Sequence, residues 1–263
     1  FTSKYKNTGW NNNDKMDRLD NVSVNVDSLG NQYLWGTLKN NTYNRKLGTK
    51  IIEDSKNYNW KQTPGFASQI SVSTDSYKKQ YLWCVRPDNT IWYAMVAPNT
   101  TNLSTTLGWT QIEGSIKKVV SNVTCDGIQL IWGIGVDDKV KHIKYNRIFN
   151  KLSEWTDIKD KNNNDILAKD ITVYLDNNGI QNLLLVNQDK IMELEFDTNF
   201  NKIKETTKDN ILNLVKISSA VNEGGTSKIY AIDNENKVYL IDSLDDSLDE
   251  NKSLIVHGRL KLD

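Results

Sequence analysis

The sequence predicts an all-β protein, a β-propeller of four-stranded antiparallel blades, with five blades as the preferred arrangement and six as the alternative. Three observations predict this fold: a repeat of about 49 residues, strand-like alternation of apolar residues in each unit, and no stretch of twelve or more residues with convincing helical periodicity. A lone four-stranded sheet cannot bury both faces, whereas sheets stacked around an axis can.

Three columns of aligned residues define the repeat. The strand column lies within apolar segments at steps of 48, 49, 52 and 46, and comprises Trp35, Trp83, Trp132, Leu184 and Tyr230. The Trp column, with polar neighbours, has steps of 50, 49 and 46, and comprises Trp10, Trp60, Trp109 and Trp155. The turn column places a branched residue after a polar turn, and comprises Ile91, Val140, Ile191 and Val238. Three columns with one period indicate a structural repeat.

Each unit predicts the same elements in the same order. In the second unit a hydrophobic run at residues 67–72 precedes a polar loop and an aromatic strand at 81–85, whose side chains alternate with period two. A turn at Asp88 and Asn89 then leads to a strand at 90–95, because Asn and Asp tolerate positive φ. The segment 203–214 is interpreted as strand, loop and strand.

These elements predict a single domain over residues 1–263. Its repeats are expected at approximately 11–60, 61–109, 110–155, 156–204 and 205–256.

Composition excludes several classes of partner. Lys and Arg number 33, as do Asp and Glu, so the net charge is zero and a broad basic surface for nucleic acid is not expected. No window of 18 apolar residues occurs, so no membrane span is predicted. Cys84 lies at a core position, and its pairing with Cys125 stays open.

The sequence contains no pattern that favours catalysis. It has two histidines, and it has neither a zinc-protease motif, a nucleophile elbow, a P-loop nor a dinucleotide fingerprint. His142 falls on a predicted strand, where a structural role is favoured over that of a base or ligand. We therefore expect no enzyme activity, no cofactor and no metal site.

Aromatic residues beside polar ones favour sugar binding. An aromatic ring packs on the apolar face of a pyranose, while Asn, Asp and backbone groups pair with its hydroxyls. The candidate ligand-binding residues are Asn59, Trp60, Asp88, Asn89, Trp92, Tyr93, Trp109 and Trp155. The strand-column tryptophans are predicted to be core, whereas the Trp column could serve packing between blades or a ligand platform. Trp92 and Tyr93 must point to opposite faces, so one of them is expected to be exposed.

The third unit carries a motif of known proteins. Residues 109–116 read WTQIEGSI, followed by IWGI at 131–134 and VKHI at 140–143, and this pattern resembles tectonin-type propeller repeats. The resemblance covers nearly the whole chain and is specific over residues 55–160. It implies a lectin that binds glycans or lipopolysaccharide, secreted or at the cell surface.

Two functions follow as expectations. The first is a multivalent lectin, in which weak sites on several repeats add up through avidity. The alternative is a protein-interaction platform, or a subunit of a surface or toxin assembly without sugar binding, since fold does not fix function.

Overall fold

The computed structural model describes residues 19–26, 32–47, 61–98, 108–187, 190–208, 213–221, 227–241 and 254–259. Within these ranges the chain forms 19 β-strands in antiparallel pairs, and no helix is present that could cross a membrane. The all-β prediction is confirmed for the described residues.

The strands follow one another as antiparallel meanders. The first sheet comprises β1 (Asn21–Val26), β2 (Gln32–Leu38), β3 (Asn41–Leu47) and β4 (Lys61–Phe66). A seven-stranded sheet comprises β5 (Gln69–Thr74), β6 (Gln80–Val85), β7 (Thr90–Val96), β8 (Thr110–Val123), β9 (Gln129–Gly135), β10 (Val140–Tyr145) and β11 (Thr156–Asp157). The fourth sheet comprises β12 (Asp170–Leu175), β13 (Gln181–Asn187), β14 (Lys190–Phe196) and β15 (Lys202–Lys208). The fifth comprises β16 (Leu214–Val221), β17 (Ser227–Asp233), β18 (Lys237–Ile241) and β19 (Leu254–Arg259).

The long strand β8 belongs to two meanders. Residues 110–115 pair with β7, and residues 116–123 pair with β9. The seven-stranded sheet therefore consists of a second sheet (β5, β6, β7 and the first half of β8) and a third sheet (the second half of β8, β9, β10 and β11). The first strand of each sheet is called its inner strand here, and the fourth its outer strand.

The outer strands begin directly after residues of the Trp column. β4 starts at Lys61, β8 at Thr110 and β11 at Thr156, one residue after Trp60, Trp109 and Trp155. Each of these strands completes the preceding sheet. The repeat boundaries expected from the sequence stay a prediction. Between β15 and β16 the predicted strand, loop and strand is confirmed at both strands, with residues 209–212 outside the described part.

Asp side chains shape the tight turns, as the composition of the turns predicts. One carboxylate oxygen of Asp75 accepts from the backbone N–H groups of Tyr77 and Lys79, two and four residues on, each at 2.9 Å. Asp176 and Asp233 make the same pair of bonds at 2.8 to 2.9 Å. The residue three positions after each Asp has positive φ, namely Lys78 at 65°, Gly179 at 79° and Asn236 at 63°. The Asp bonds supply the backbone partners that a left-handed residue needs in so short a turn.

The tryptophans of the strand column form the core between sheets, as predicted. Trp35, Trp83 and Trp132 are at most 1% exposed. The indole nitrogen of each donates to a glutamine of the next sheet, at 2.8 Å to Gln80, 2.8 Å to Gln129 and 3.0 Å to Gln181. A buried Trp N–H requires such a partner, so each ring joins two sheets through packing and one polar bond.

The inner strands of neighbouring sheets are joined by side-chain bonds. Val119 of the third sheet makes two of them with Gln69 of the second: its N–H donates to the amide oxygen at 2.9 Å, and its carbonyl accepts from the amide nitrogen at 2.7 Å. Ile70 N donates to Asn21 at 3.1 Å, and Ile217 N donates to Asp170 at 2.9 Å. The same positions thus connect successive sheets along the chain.

The valine side chains on one face of β1 are exposed. Val22, Val24 and Val26 of β1 are each 52% exposed, although the register-equivalent Ile70 and Val72 of β5 are 1% and 3% exposed. The inner strands pack as β1 on β5, β5 on β8, β8 on β12 and β12 on β16, and no comparable packing joins β16 to β1 within the described residues. Closure of the ring and the number of blades stay predictions.

The two cysteines are free thiols. Cys84 is buried, as predicted, and burial raises the pKa of its thiol to about 12. Cys125 is exposed and unpaired, so the question of a disulfide between the two is answered.

Candidate functional site

A cavity of about 290 Å³ lies where the second and third sheets meet. Its lining residues come from β8, the β9–β10 turn, β10 and the segment before β11: Gly114, Ser115, Ile116, Val136, Asp137, Lys141 and Trp155. Small-ligand sites are concave and combine an apolar wall with a few convergent polar groups. In this cavity the ring of Trp155 is the apolar wall, and the ammonium of Lys141 and the carboxylate of Asp137 are the polar groups.

Trp155 is the aromatic wall of the cavity and bridges two sheets. It is half-buried, and its indole nitrogen donates to the carbonyl of Glu113 at 3.0 Å, on the outer strand of the preceding sheet. Gly114 has a φ of +122°, and a Cβ at this position would lie 2.8 Å from that indole nitrogen. A glycine is therefore required for the ring to lie against the strand.

An ion-paired rim faces the ring. The ammonium of Lys141 is 2.9 Å from Asp157 and 3.3 Å from Asp137. Burial alone would lower the pKa of Lys141, but its bonds to Asp157 and Asp137 raise it above the ordinary value. Burial likewise works against ionisation of Asp137, and the bonds from Lys141 and from the backbone of Lys139 lower its pKa overall. At neutral pH the rim therefore presents a charged donor beside a charged acceptor.

The same arrangement recurs, with different residues, one repeat earlier. Trp109 is half-buried, and its indole nitrogen donates to the carbonyl of Pro64 at 2.7 Å. A Cβ on Gly65 would lie 2.9 Å from that nitrogen, as at Gly114 beside Trp155. Trp109 and Trp155 thus pack between sheets and leave part of each ring accessible. The role as a ligand platform stays a prediction.

Trp92 lies in the position that Lys141 occupies in the next repeat. It packs, like Trp109, against the buried cluster that contains Ala67 and Cys84. The guanidinium carbon of Arg86 lies 3.6 Å from the centre of its ring. The indole nitrogen donates to the hydroxyl of Thr90 at 2.9 Å, so the ring is held from its edge as well as from its face.

Asp88 and Asn89 form the β6–β7 turn beside Trp92. The carboxylate of Asp88 accepts from the N–H of Thr90 at 3.0 Å and from its hydroxyl at 2.7 Å. These bonds from Thr90 lower the pKa of the carboxyl, which is fully exposed. Asn89 has a φ of 64° and donates its N–H to the carbonyl of Arg86 at 2.9 Å.

Tyr93 lies on the opposite face of β7 from Trp92, as alternation requires. It stacks on Phe149 with ring centres 3.8 Å apart and packs with the cluster around Trp83. Both Trp92 and Tyr93 are partly accessible. The structure therefore brings Asp88, Asn89 and Trp92 together and places Tyr93 away from them. Asn59 and Trp60 lie outside the described residues.

Four site residues were missed by sequence reasoning, and the repeat itself carried the signal for them. Asp137 and Lys141 stand in register with Asp88 and Trp92, and Gly114 stands in register with Gly65. Arg86 precedes the predicted turn by two residues. Aligning the units by the Trp column would have named them. In the described part of the chain no group of three or more His, Cys, Asp or Glu side chains could hold a metal ion.

Comparison with solved structures identifies the fold. A fucose-recognising fungal lectin from Aleuria aurantia, with a six-bladed β-propeller fold, matches 92% of this chain and 78% of its own, at 11% identity and a TM-score of 0.52. The SapL1 lectin in complex with α-methyl fucoside matches 84% of this chain and 76% of its own, at 10% identity and a TM-score of 0.54. A protein from Lactobacillus plantarum matches 92% and 70%, at 13% identity and a TM-score of 0.52.

At these identities the similarity shows the fold alone, and the fold is that of a β-propeller. No protein-family model and no curated protein matches the chain. The tectonin resemblance therefore stays a prediction.

Proposed function

We propose that this protein binds carbohydrate, and that the cavity at Trp155 is one of its sites. The observation that carries the proposal is the juxtaposition of a half-buried indole with the paired charges of Asp137 and Lys141 around about 290 Å³. A volume near the lower end of the range for ligand sites suits a monosaccharide or the terminal unit of a glycan.

The chemistry of the cavity fits a neutral sugar. The C–H face of a pyranose would pack on the indole, as apolar surface does on aromatic rings. Adjacent hydroxyls would donate to Asp137 and accept from Lys141, because a hydroxyl is both donor and acceptor. The similarity to the SapL1 and Aleuria aurantia lectins, which carry or recognise fucose, supports this class of ligand.

A monosaccharide panel that includes fucose, titrated by calorimetry, tests the proposal. We expect Trp155→Ala to weaken binding at least about tenfold, since loss of an aromatic platform removes roughly 1.5 kcal/mol or more. Ile148→Ala, an exposed apolar residue that does not line the cavity, is the matched control. Binding by Trp155→Ala equal to that of the wild type, or no sugar binding at millimolar concentration, would contradict the proposal.

The environment of Trp109 supports the presence of a second carbohydrate site in the chain. Its ring sits between sheets as Trp155 does, and the polar turn at Asp88 stands where Asp137 stands. Several weak sites would give avidity for clustered glycans or lipopolysaccharide. We infer on this ground that the protein acts on glycan-bearing surfaces, secreted or at the cell surface, and protease accessibility on intact cells would test that location.

The exposed face of β1 favours six blades over five, and it favours a role as a protein-interaction platform. Interior inner strands bury this face against the preceding sheet, whereas Val22, Val24 and Val26 present it to solvent. Exposed apolar patches mark interaction sites. The face supports the six-bladed alternative over a closed five-bladed ring, and it also supports the alternative function as a protein-interaction platform.

A further inference from the structure

Arg86 carries a guanidinium that forms no ion pair with a carboxylate in the described part of the chain. Its acidic neighbour Asp88 accepts hydrogen bonds from Thr90 instead, and the charge of Arg86 acts on that carboxyl only as one of the causes that lower its pKa. The Nε atom of Arg86 is buried and has no hydrogen-bond partner. Because Nε is shielded from solvent, a ligand would meet the part of this half-buried side chain that stays accessible.

Three lysines in the neighbouring repeat are paired with carboxylates. Lys141 lies between Asp137 and Asp157, Lys139 contacts Asp165 at 2.7 Å, and Lys118 pairs with the buried Asp170. Arg86 stands at the register position of Gly135 in that repeat, so the added cation distinguishes the Trp109 repeat from the Trp155 repeat.

We propose that Arg86, Trp92 and Trp109 form a second site, specific for sugars that bear a carboxylate or a sulfate. The planar guanidinium fork matches the geometry of an oxyanion and donates two parallel hydrogen bonds to it. The inference rests on the proposed function, since it assigns a ligand class to a register equivalent of the Trp155 cavity.

Neighbouring side chains hold the guanidinium of Arg86 in place for binding an oxyanion. Stacking on Trp92 at 3.6 Å, with the indole fixed by Thr90, restricts the Arg86 side chain before any ligand arrives. Phe66, which is 50% exposed, stands in the register position of the cavity residue Ser115 and offers an apolar surface for a sugar ring.

The electrostatics of this site are dominated by Arg86. Asp88 is the ionised group beside it, and its bonds from Thr90 already occupy its carboxylate. Cys84 behind the site is neutral at physiological pH because burial raises the pKa of the thiol. An incoming anion therefore meets a guanidinium that forms no ion pair with the described carboxylates, beside the ionised Asp88.

The two sites should consequently differ in ligand. The Trp155 rim pairs its charges internally and suits hydroxyl groups, whereas the Arg86 site presents a lone cation and suits an acidic substituent. A glycan with both neutral and acidic sugars would engage the two sites together.

Calorimetric titration of the full chain with glucose, glucuronic acid and glucose 6-sulfate tests the assignment. We expect Arg86→Gln to weaken binding of both acidic sugars about tenfold or more, because charge-assisted hydrogen bonds contribute roughly 1.5 to 3 kcal/mol. Arg147→Gln is the matched control, since that guanidinium also lies over an aromatic ring, Tyr77, at 5.2 Å. Arg86→Lys keeps the positive charge but loses the planar guanidinium. Its affinity for the acidic sugars should therefore lie between that of the wild type and that of Arg86→Gln.

Each outcome decides a different question. Acidic sugars that bind Arg86→Gln as well as the wild type, or no better than glucose, would overturn the Arg86 assignment. Inorganic sulfate binding as tightly as glucose 6-sulfate would also overturn it, because the sugar ring would then contribute nothing. Loss of glucose binding in Trp155→Ala, with acidic binding intact, separates the fate of the first site from that of the second. Unchanged thermal unfolding of Arg86→Gln and Arg86→Lys excludes misfolding as the cause.

Discussion

Tyr93 and His142 occupy the same register position in successive sheets, and each faces a phenylalanine in a tight turn. Tyr93 stacks on Phe149, and His142 stacks on Phe200 with ring centres 4.0 Å apart. Both phenylalanines have positive φ, at 62° and 63°. This register position therefore holds a planar ring that stacks on a phenylalanine, and in the third sheet that ring is the imidazole of His142. The sequence analysis expected a structural histidine, and the packing of His142 agrees with that role.

The imidazole of His142 has no polar environment for a charge. Its Nδ1 atom is buried and without a hydrogen-bond partner, and the edge of Trp132 packs on it. Burial lowers its pKa from 6.5 to about 4. Between these two values the unfolded chain takes up the proton more readily than the folded one, so stability is lost as the pH falls from 6.5 toward 4.

We expect His142→Phe to remove this acid sensitivity. Phe keeps the stack on Phe200 and cannot be protonated, so the variant should retain on the order of 2 kcal/mol that the wild type loses over this pH range, allowing for the partial exposure of the ring. Urea unfolding at pH 7 and pH 4.5 measures the difference. An equal loss in both proteins would show that other groups cause the acid sensitivity.

At the level of single elements, the inner strands of neighbouring sheets are joined by side chains that bond backbone groups, as the backbone of a paired strand would. The amide of Gln69 satisfies both the N–H and the C=O of Val119, at 2.9 and 2.7 Å. The hydroxyl of Ser71 accepts from the N–H of Ser121 at 3.0 Å and lies 3.1 Å from the hydroxyl of Ser121. These bonds join inner strands that are not paired with each other through backbone hydrogen bonds.

We expect Gln69→Ala to destabilise the protein by about 2 kcal/mol, because two backbone groups of Val119 lose their partner in a partly buried place. Gln111→Ala is the control, since its side chain is exposed on the first half of β8. Chemical denaturation of both variants gives the difference. A Gln69→Ala midpoint equal to that of Gln111→Ala would mean that water replaces the amide at no cost.

At the level of the whole molecule, the two ends of the series of sheets differ from its interior. The valines of β1 are 52% exposed, and at the other end Tyr230 of the strand column is 41% exposed, whereas its register equivalents are buried. Each interior sheet is covered on both faces by its neighbours. The leading face of the first sheet and the trailing face of the fifth are therefore without a packed neighbouring sheet within the described residues.

Paired aspartate substitutions distinguish an open series from a closed ring. In this structure Val72→Asp would bury a charge between sheets and should unfold the protein, whereas Val24→Asp should leave the melting temperature nearly unchanged. Thermal unfolding followed by circular dichroism measures both. A Val24→Asp variant as unstable as Val72→Asp would show that β1 is covered in solution, as a closed five-bladed ring requires.

The sequence by itself determined the repeat, the order of the strands, the residues of the turns and the burial of the three strand-column tryptophans. These features are local or periodic, because alternation follows from the pleat of a strand and positive φ follows from the turn that needs it. The outer strands beginning at Lys61, Thr110 and Thr156 were not predicted, because exposed edge strands carry polar residues on both faces and show no alternation.

Only the tertiary structure decided which polar groups meet at each tryptophan. Trp155 reaches the carbonyl of Glu113, 42 residues earlier, and shares its cavity with Asp137 and Lys141 from another turn and strand. The lone charge of Arg86 is equally a property of its neighbours, since an arginine reads the same in a sequence with or without a carboxylate beside it. Such contacts depend on how one sheet stacks on the next. The repeat along the chain does not specify which side chains this stacking brings together.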